Sequence, residues 1–243
     1  MRESSNISND LSALTVAILV GGLGTRLRSI VPDRPKVLAP VRQKPFLAYL
    51  LDQLANCGAS HVVLCCGYLG GQVRESFGET YRHLQLVYSQ EETPLGTAGA
   101  LRKAVPEFQS DLILVMNGDS YCQADLLSFY HWHDQNSARA SLLLVKVSDT
   151  SSYGRVELGI ENRVGYFEEK NVSSAAGWIN AGIYLIQKEL LLSVSSDRAV
   201  SLEKDMLPIW AEQGFLYGFK SEALFIDIGT PGSYQLAEGL LPE

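Results

Sequence analysis

Short apolar runs alternate with amphipathic segments in the first half of the chain, and this alternation limits the fold more than any other sequence feature. The apolar runs at residues 15–20, 61–66 and 111–116 have the length and composition of buried strands. Residues 45–57 and 96–105, which lie between them, carry apolar side chains at helical spacing. Strands that alternate with helices predict crossover connections and a mainly parallel sheet. Ligands of such sheets bind beyond the carboxyl ends of the strands.

The second half of the chain has a different character. After residue 141, the segments SLLLVKV, YGRVEL, VGYFEE and GIYLIQ are strand-like and are separated by turn residues, which is typical of an antiparallel or mixed section. Residues 202–212 and 232–240 are candidate helices, with a strand at 223–228 between them. We therefore predict an α/β, three-layer, Rossmann-like fold. Its central mixed sheet is mainly parallel, with a small antiparallel section.

Length and composition place these elements in one domain. We predict a flexible, Ser- and Asn-rich leader at residues 1–12 and a single domain at 13–243, with halves at about 13–140 and 141–243. The formal net charge of −7 argues against a nucleic-acid binder. No apolar run approaches the roughly 18 residues of a membrane span, and the polar N-terminus lacks a signal-peptide core. The sequence thus predicts a cytoplasmic protein without membrane partners, and it leaves homo-oligomerisation open.

A glycine-rich loop with basic residues follows the first predicted strand. The stretch GGLGTRLRSIVPDRPKVLAPV lacks the Walker P-loop spacing and the dinucleotide-binding GxGxxG pattern. Glycines let backbone amides approach phosphate oxygens, and Arg26 and Lys36 can add charge-assisted hydrogen bonds. A simple turn does not need two cations ten residues apart in an acidic protein. The loop therefore predicts a site for a phosphorylated ligand.

This stretch resembles the signature GGxGTRLxPxTxxxPKxLxPV of the sugar-1-phosphate nucleotidylyltransferases, except that Ser29 replaces the usual proline. Enzymes of that family join a nucleoside triphosphate to a sugar 1-phosphate and release pyrophosphate. The resemblance implies their nucleotidyltransferase fold. The nucleotide-binding residues that it implies here are Leu19, Gly21, Gly22, Gly24, Thr25, Arg26 and Lys36.

The segment EETPLGTAGA resembles the family's nucleoside-covering turn. Gly96 would let the base approach the backbone, and Thr97 would cap the following helix. Guanine presents two adjacent donors, which suit the acceptor-only carboxylate of Glu91 or Glu92, whereas uracil and thymine suit an amide such as Gln90. The segment thus favours GTP and leaves open which glutamate reads the base.

The tripeptide NGD follows the third buried strand and resembles the family's GD, whose aspartate binds magnesium. Asp119 and Asp227, the latter in FIDIGTP, are the implied Mg²⁺ ligands, since hard oxygen donors suit this ion. Asn117 and Gly118 are the implied nucleotide contacts beside them.

Three further segments resemble the family's sugar site and a neighbouring helix start. The segments YGRV, FEEK and WINAGIY imply that the sugar phosphate contacts Gly154, Glu168, Glu169, Lys170, Asn180 and Gly182. Asn171 stands where the family usually has a proline after the lysine. The segment SLEKD is read mainly as structure, with Ser201 and Lys204 in a capping arrangement and Glu203 and Asp205 in the first helical turn.

The implied reaction is an in-line attack of a sugar-1-phosphate oxygen on the α-phosphorus. It requires positioning and charge neutralisation more than proton transfer. By resemblance, Arg26 holds the leaving phosphates, Lys36 the α-phosphate and Lys170 the incoming phosphate, while Asp119 and Asp227 hold Mg²⁺.

The substrate assignment also rests on resemblance. The chain is similar to guanylyltransferases that act on D-glycero-α-D-manno-heptose 1-phosphate, whose product serves bacterial surface glycans such as lipopolysaccharide, S-layer glycan and capsule. Mannose 1-phosphate is the nearest alternative, and uridylyl or thymidylyl transfer to a hexose 1-phosphate is more distant. A nucleotide-sugar-binding regulatory subunit would be expected to lack some of the four implied catalytic or metal-binding residues Arg26, Lys36, Asp119 and Asp227, and all four are present.

Overall fold

A computed structural model describes residues 10–22, 24, 26–27, 30–151, 153–169 and 175–242, without the side chains of residues 167–169. None of the described helices is long and apolar enough to cross a bilayer. The strands are β1 (Thr15–Leu19), β2 (Pro40–Val41), β3 (Lys44–Pro45), β4 (His61–Cys66), β5 (Thr80–Tyr81), β6 (Leu84–Gln90), β7 (Leu112–Asn117), β8 (Ser120–Cys122), β9 (Ala140–Val147), β10 (Gly154–Leu158), β11 (Val164–Glu169), β12 (Gly177–Gln187), β13 (Leu216–Ser221) and β14 (Phe225–Asp227). The helices are α1 (Phe46–Asn56), α2 (Gly70–Phe77), α3 (Gly96–Ala104), α4 (Leu126–Gln135), α5 (Lys188–Leu192), α6 (Leu207–Glu212) and α7 (Pro231–Leu240).

The central sheet is mixed, as the sequence predicts. In the described part of the chain it has ten strands, ordered β11-β10-β12-β7-β1-β4-β6-β5, with β9 also paired to β12 and β13 paired to β9. Strands β7, β1, β4 and β6 are mutually parallel, and β12 lies antiparallel to β7. The parallel strands therefore end at one edge, where their following loops can share a ligand.

Apolar cores lie on both faces of this sheet. Along β1, Val16 and Ile18 belong to one buried cluster and Ala17 to the other, because successive side chains of a strand point to opposite faces. The first cluster includes Phe129 of α4, and the second includes Trp210 of α6, and all five residues are 2% exposed or less. Helices thus cover the sheet on both sides, which confirms the predicted three layers.

The structure differs from the sequence prediction at strand β13 and at the start of the helix that ends as α6. Strand β13 is not predicted, because its residues LYGFKS include a glycine and four polar or aromatic positions without clear alternation. It is held by parallel pairing with β9. The helix predicted at 202–212 begins with a π-helical turn at Leu202–Met206 before α6. Pro208 has no amide hydrogen for the preceding turn, so a regular helix cannot run through it.

The predicted leader ends earlier than residue 12. Leu11 is fully buried, and its amide donates to the Cys57 carbonyl at 3.0 Å. An apolar side chain in the core and a backbone hydrogen bond to the end of α1 hold this segment against the domain. Residues 1–9 lie outside the described part of the chain.

A buried histidine makes the stability of the fold pH-dependent. His133 of α4 is 2% exposed, its Nδ1 lies 2.8 Å from Ser141 Oγ, and burial lowers its pKa from 6.5 to about 4. Between pH 4 and pH 6.5, the unfolded chain therefore binds a proton at His133 that the folded chain does not bind. We expect stability to be full above about pH 6.5 and to fall by about 3 kcal/mol as the pH drops to 4.

Denaturant unfolding between pH 4 and 7 tests this expectation. His133→Gln should flatten the pH slope whatever its effect on stability at pH 7, while the same change at exposed His83 should leave the slope unaltered. An unchanged slope in His133→Gln would contradict the assignment.

Candidate active site

A cavity of about 590 Å³ opens where the parallel strands end. Its walls are the loops that follow β1, β4, β6 and β7, together with the start of α3. The predicted nucleotide-binding residues that line it are Leu19, Gly21, Gly22, Lys36, Glu91, Gly96, Thr97 and Asn117. Gly118 lies beside it, with its amide 2.9 Å from the Leu19 carbonyl, and Gly24 packs against the Lys36 side chain. Thr25 lies outside the described residues.

A second cavity of about 270 Å³ adjoins the first. The predicted residues that line it are Arg26, Lys36, Asn117, Asp119, Gly154, Asn180, Gly182 and Asp227. Lys36, Asn117 and Asp119 line both cavities. The side chains of Glu168 and Glu169 and the whole of Lys170 lie outside the described residues, although Glu169 pairs with Gly154 through the β10–β11 register.

The first cavity depends on two glycine backbones that lie in contact. A Cβ added at Gly21 would lie 2.8 Å from the Gly67 amide nitrogen, and one added at Gly67 would lie 2.7 Å from the Gly21 carbonyl oxygen. Separations below 3.0 Å exclude any larger side chain without a backbone shift. These glycines keep the cavity floor at the level of the backbone, so a planar group can lie against it.

The basic residues of the glycine-rich loop have different environments. The Lys36 side chain is only 12% exposed, and its Nζ lies 2.7 Å from Asp119 Oδ2 at the junction of the two cavities. Arg26 is exposed and borders the second cavity. Arg34 instead forms a surface ion pair with Asp33 at 3.0 Å. Arg26 and Lys36 are therefore the cations of this loop that the described residues place at the site.

The acidic and amide side chains at the end of β6 have separate roles in the structure. The Gln90 amide nitrogen donates to the Gly67 carbonyl at 2.7 Å and to the Glu91 carbonyl at 3.2 Å. Glu91 lines the cavity, and its Oε2 accepts from the Leu95 amide at 3.1 Å. Burial raises the pKa of Glu91, and that hydrogen bond opposes the rise. Gln90 is thus occupied in holding loops together, while a carboxylate faces the cavity.

The structure corrects the interpretation of the α3 start. The prediction that Thr97 caps α3 is wrong, because Thr97 lies inside the first turn, and its hydroxyl accepts from the Leu202 amide and donates to Glu203 Oε2, each at 2.7 Å. Gly96 borders the cavity. A glycine is required at this position because its φ is 75° and because an added Cβ would lie 2.4 Å from the Val200 carbonyl oxygen.

Two aspartates meet at the second cavity through a short strand pair. Strands β8 and β14 are antiparallel, and the Ile228 amide donates to the Asp119 carbonyl at 2.9 Å. Asp227 Oδ2 accepts from the Tyr153 hydroxyl at 2.7 Å, and its Oδ1 accepts from the Gly229 amide at 2.6 Å. Asp119 and Asp227 are therefore brought to one site, as the sequence predicts for the pair.

The donor set at this site fits Mg²⁺ only together with substrate. No group of three His, Cys, Asp or Glu side chains suited to a metal occurs within the described ranges. Two carboxylates leave the remaining positions of an octahedral ion to phosphate oxygens and water. The Lys36 ammonium at Asp119 shows that positive charge is accommodated next to that carboxylate.

The predicted sugar-side residues on β12 are held in place by a tight local structure. Asn180 Oδ1 accepts from the Gly182 amide at 3.0 Å. Gly182 has a φ of 74°, and an added Cβ would lie 2.7 Å from Asn117 Nδ2. A larger residue at position 182 would therefore be strained and would displace a side chain that borders both cavities.

Sequence reasoning missed several residues that line the cavities. Tyr68 lies in the GYLGG segment directly after β4, and Tyr153, Glu203 and Ser233 line the second cavity. The GYLGG segment carries the same signal as the first loop, namely glycines at the carboxyl end of a buried strand, which could have revealed Tyr68. Tyr153 and Glu203 lie in the segments YGRV and SLEKD, which the sequence marks for other reasons, and no comparable local signal marks Ser233.

Comparisons with known proteins show the family of this chain. The family model described as nucleotidyl transferase matches residues 15–241. D-glycero-alpha-D-manno-heptose 1-phosphate guanylyltransferase of Aneurinibacillus thermoaerophilus is 38% identical over 91% of this chain and 95% of its own length. Mannose-1-phosphate guanylyltransferase of Mycobacterium tuberculosis is 35% identical over 93% of this chain and 65% of its own length.

Solved structures confirm the predicted fold. HddC from Yersinia pseudotuberculosis is 31% identical, covers 93% of this chain and 98% of its own, and superposes with a TM-score of 0.84. A second structure of that protein is described as complexed with GMP-PN, with a TM-score of 0.83 and the same identity and coverage.

Proposed function

The chain belongs to the nucleotidyl transferase family, and we propose that it transfers a guanylyl group from GTP to D-glycero-α-D-manno-heptose 1-phosphate, releasing pyrophosphate. The observation that carries this proposal is that the two cavities meet at Lys36, Asn117 and Asp119. A reaction between two phosphorylated substrates requires two adjacent sites with the charge-neutralising groups at their junction.

The transfer is a single displacement. A phosphate oxygen of the sugar 1-phosphate forms a bond to the α-phosphorus of GTP, while the bond to the β-phosphate bridging oxygen breaks and its electrons leave with pyrophosphate. Lys36 holds the α-phosphate at the cavity junction, and Arg26 and Lys170 neutralise the leaving and incoming phosphates. Asp119 and Asp227 would hold Mg²⁺, which would supply further charge neutralisation.

The position of Glu91 supports recognition of guanine. Its carboxylate is half-buried in the first cavity, and the Leu95 amide restricts its orientation. A carboxylate can accept from guanine N1–H and the 2-amino group together. Glu92 also lines the cavity but is exposed. We therefore assign base reading to Glu91.

Pyrophosphate release tests the proposed function. The protein is incubated with Mg²⁺ and each of GTP, ATP, UTP and dTTP, in combination with heptose, mannose and glucose 1-phosphates. We expect GTP with heptose 1-phosphate to give the highest kcat/KM. Failure of GTP with every sugar would overturn the proposal. Turnover that requires mannose 1-phosphate would instead support the second candidate, which the Mycobacterium tuberculosis relative favours.

A substitution at Glu91 tests the assignment of base recognition. Glu91→Gln should lower kcat/KM for GTP by at least about tenfold, because loss of a charged acceptor costs about 1.5–3 kcal/mol. Glu92→Gln is the matched control and should change this value by less than twofold. A loss of GTP preference in Glu92→Gln but not in Glu91→Gln would reverse the assignment.

The cellular role is part of the same proposal. A GDP-heptose product would be consumed by glycosyl transfer in the synthesis of bacterial surface glycans. The cytoplasmic location expected from the sequence stays a prediction, and the sequence gives no oligomeric state.

A further inference from the structure

A chain of hydrogen bonds runs from the nucleotide side of the site to the sugar side. At one end, the Thr97 hydroxyl of α3 donates to Glu203 Oε2 at 2.7 Å. The Tyr184 hydroxyl of β12 donates to Glu203 Oε1 at 3.3 Å. At the other end, Asn180 Nδ2 donates to the Tyr184 hydroxyl oxygen at 2.8 Å. Three side chains thus connect a helix that borders the first cavity to an asparagine that borders the second.

The direction of these bonds follows from burial. Tyr184 is fully buried, and burial, reinforced by the nearby Glu203 charge, raises the pKa of Tyr184 well above its usual value. The phenol therefore stays protonated and donates to the carboxylate, while its oxygen accepts from the side-chain amides of Asn180 and Asn117. The amide of Asn180 has no rotational freedom left, because the Gly182 amide also donates to its Oδ1 at 3.0 Å.

Glu203 is placed by the turn that precedes α6. Ser201 Oγ accepts from the Lys204 amide at 3.2 Å, as the predicted capping arrangement requires, and donates to Glu203 Oε2 at 3.1 Å. Asp205 of the same turn instead accepts from the Ser201 amide at 2.7 Å. The two acidic residues of this turn therefore differ, since Glu203 borders the second cavity and Asp205 only supports the turn.

We infer that Glu203 is a positioning residue for the sugar 1-phosphate. Glu203 holds Tyr184 so that the Asn180 amide presents its remaining donor and acceptor to the sugar hydroxyls. This inference rests on the proposed function, because it assigns a role within that sugar site. Only a carboxylate can hold the whole arrangement, since its two oxygens accept from the hydroxyls of Thr97, Ser201 and Tyr184.

Steady-state kinetics of two nearly isosteric variants test the inference. Tyr184→Phe removes the middle of the chain. Glu203→Gln replaces one acceptor oxygen by an NH₂ group that faces a hydroxyl. Each should raise KM for the sugar 1-phosphate about tenfold, which corresponds to one lost hydrogen bond, and should raise KM for GTP by a clearly smaller factor. The double variant should equal the single variants, because the residues act through one chain of contacts.

Asp205→Asn is the matched control. The Asp205 carboxylate bonds the Ser201 amide and contacts none of the Thr97, Tyr184 and Asn180 side chains, so thermal stability should fall while KM for the sugar phosphate stays within twofold of the wild type. Equal rises in both KM values for Tyr184→Phe and Glu203→Gln, or a rise in Asp205→Asn as large as theirs, would show a merely structural role and overturn the inference.

A measurement on the wild-type protein decides the question if a variant fails to fold. In a crystal structure with bound sugar 1-phosphate, the Asn180 amide should contact a sugar hydroxyl while its bond to Tyr184 and the Tyr184–Glu203 bond persist. Loss of either bond on binding would overturn the inference. Wild-type turnover is measured first, so absence of any turnover counts against the proposed function, whereas turnover without the KM difference counts against Glu203 alone.

Discussion

Asp119→Ala should lower turnover by about a hundredfold or more, which is the scale of losing one preorganised charge in an active site. Asp119 borders both cavities and holds the Lys36 ammonium at 2.7 Å. Its removal takes away an implied Mg²⁺ ligand and also frees a largely buried lysine from its partner. We therefore expect the residual activity to require more Mg²⁺ than the wild type does.

Asp111→Asn is the control for this variant. Asp111 immediately precedes β7, whereas Asp119 follows it, and the Asp111 carboxylate is 90% exposed in a surface ion pair with Lys188. The control should keep wild-type turnover because surface ion pairs contribute little. Circular dichroism spectra of both variants establish that they fold. A folded Asp119→Ala enzyme with near-normal turnover and an unchanged Mg²⁺ requirement would contradict the assigned role.

Arg26→Ala should also reduce turnover by about a hundredfold, with little effect on folding. Arg26 is exposed at the second cavity, so its substitution removes positive charge from the phosphates without opening the core. Arg34→Ala removes a neighbouring exposed arginine that is paired with Asp33, and it should behave as the wild type. Equal activity of the two variants in the pyrophosphate assay would show that Arg26 adds only general positive charge.

The sheet edge and the base-side loops were predictable because their signals are local. A buried strand is a continuous apolar run, and glycines after such a run mark a loop at the ligand-binding edge. Residues 15–20 and 61–66 both carry this signal and become β1 and β4. Strand β13 carries no such signal, because it is stabilised by pairing with β9 rather than by its own composition.

Local pattern was misleading where a side chain has a distant partner. Thr97 has the residue type and position of a cap, yet its hydroxyl bonds Glu203, which lies 106 residues away. The sequence also did not indicate the role of Glu203, because the segment around it has the pattern of an ordinary helix start. Leu11 looked like part of a polar leader because polar residues flank it, yet its side chain is buried and its amide bonds the end of α1.

The amino-acid sequence by itself determined the alternation of strands and helices in the first half of the chain, the glycine-rich loops and the set of charged residues available for phosphate chemistry, since these depend on short-range periodicity and residue type. Only the tertiary structure decided which of them meet. Lys36 and Asp119 are 83 residues apart in the chain and share one ion pair at the junction of two cavities. Such contacts arise when strands from distant segments align in one sheet, and no local sequence pattern records that alignment.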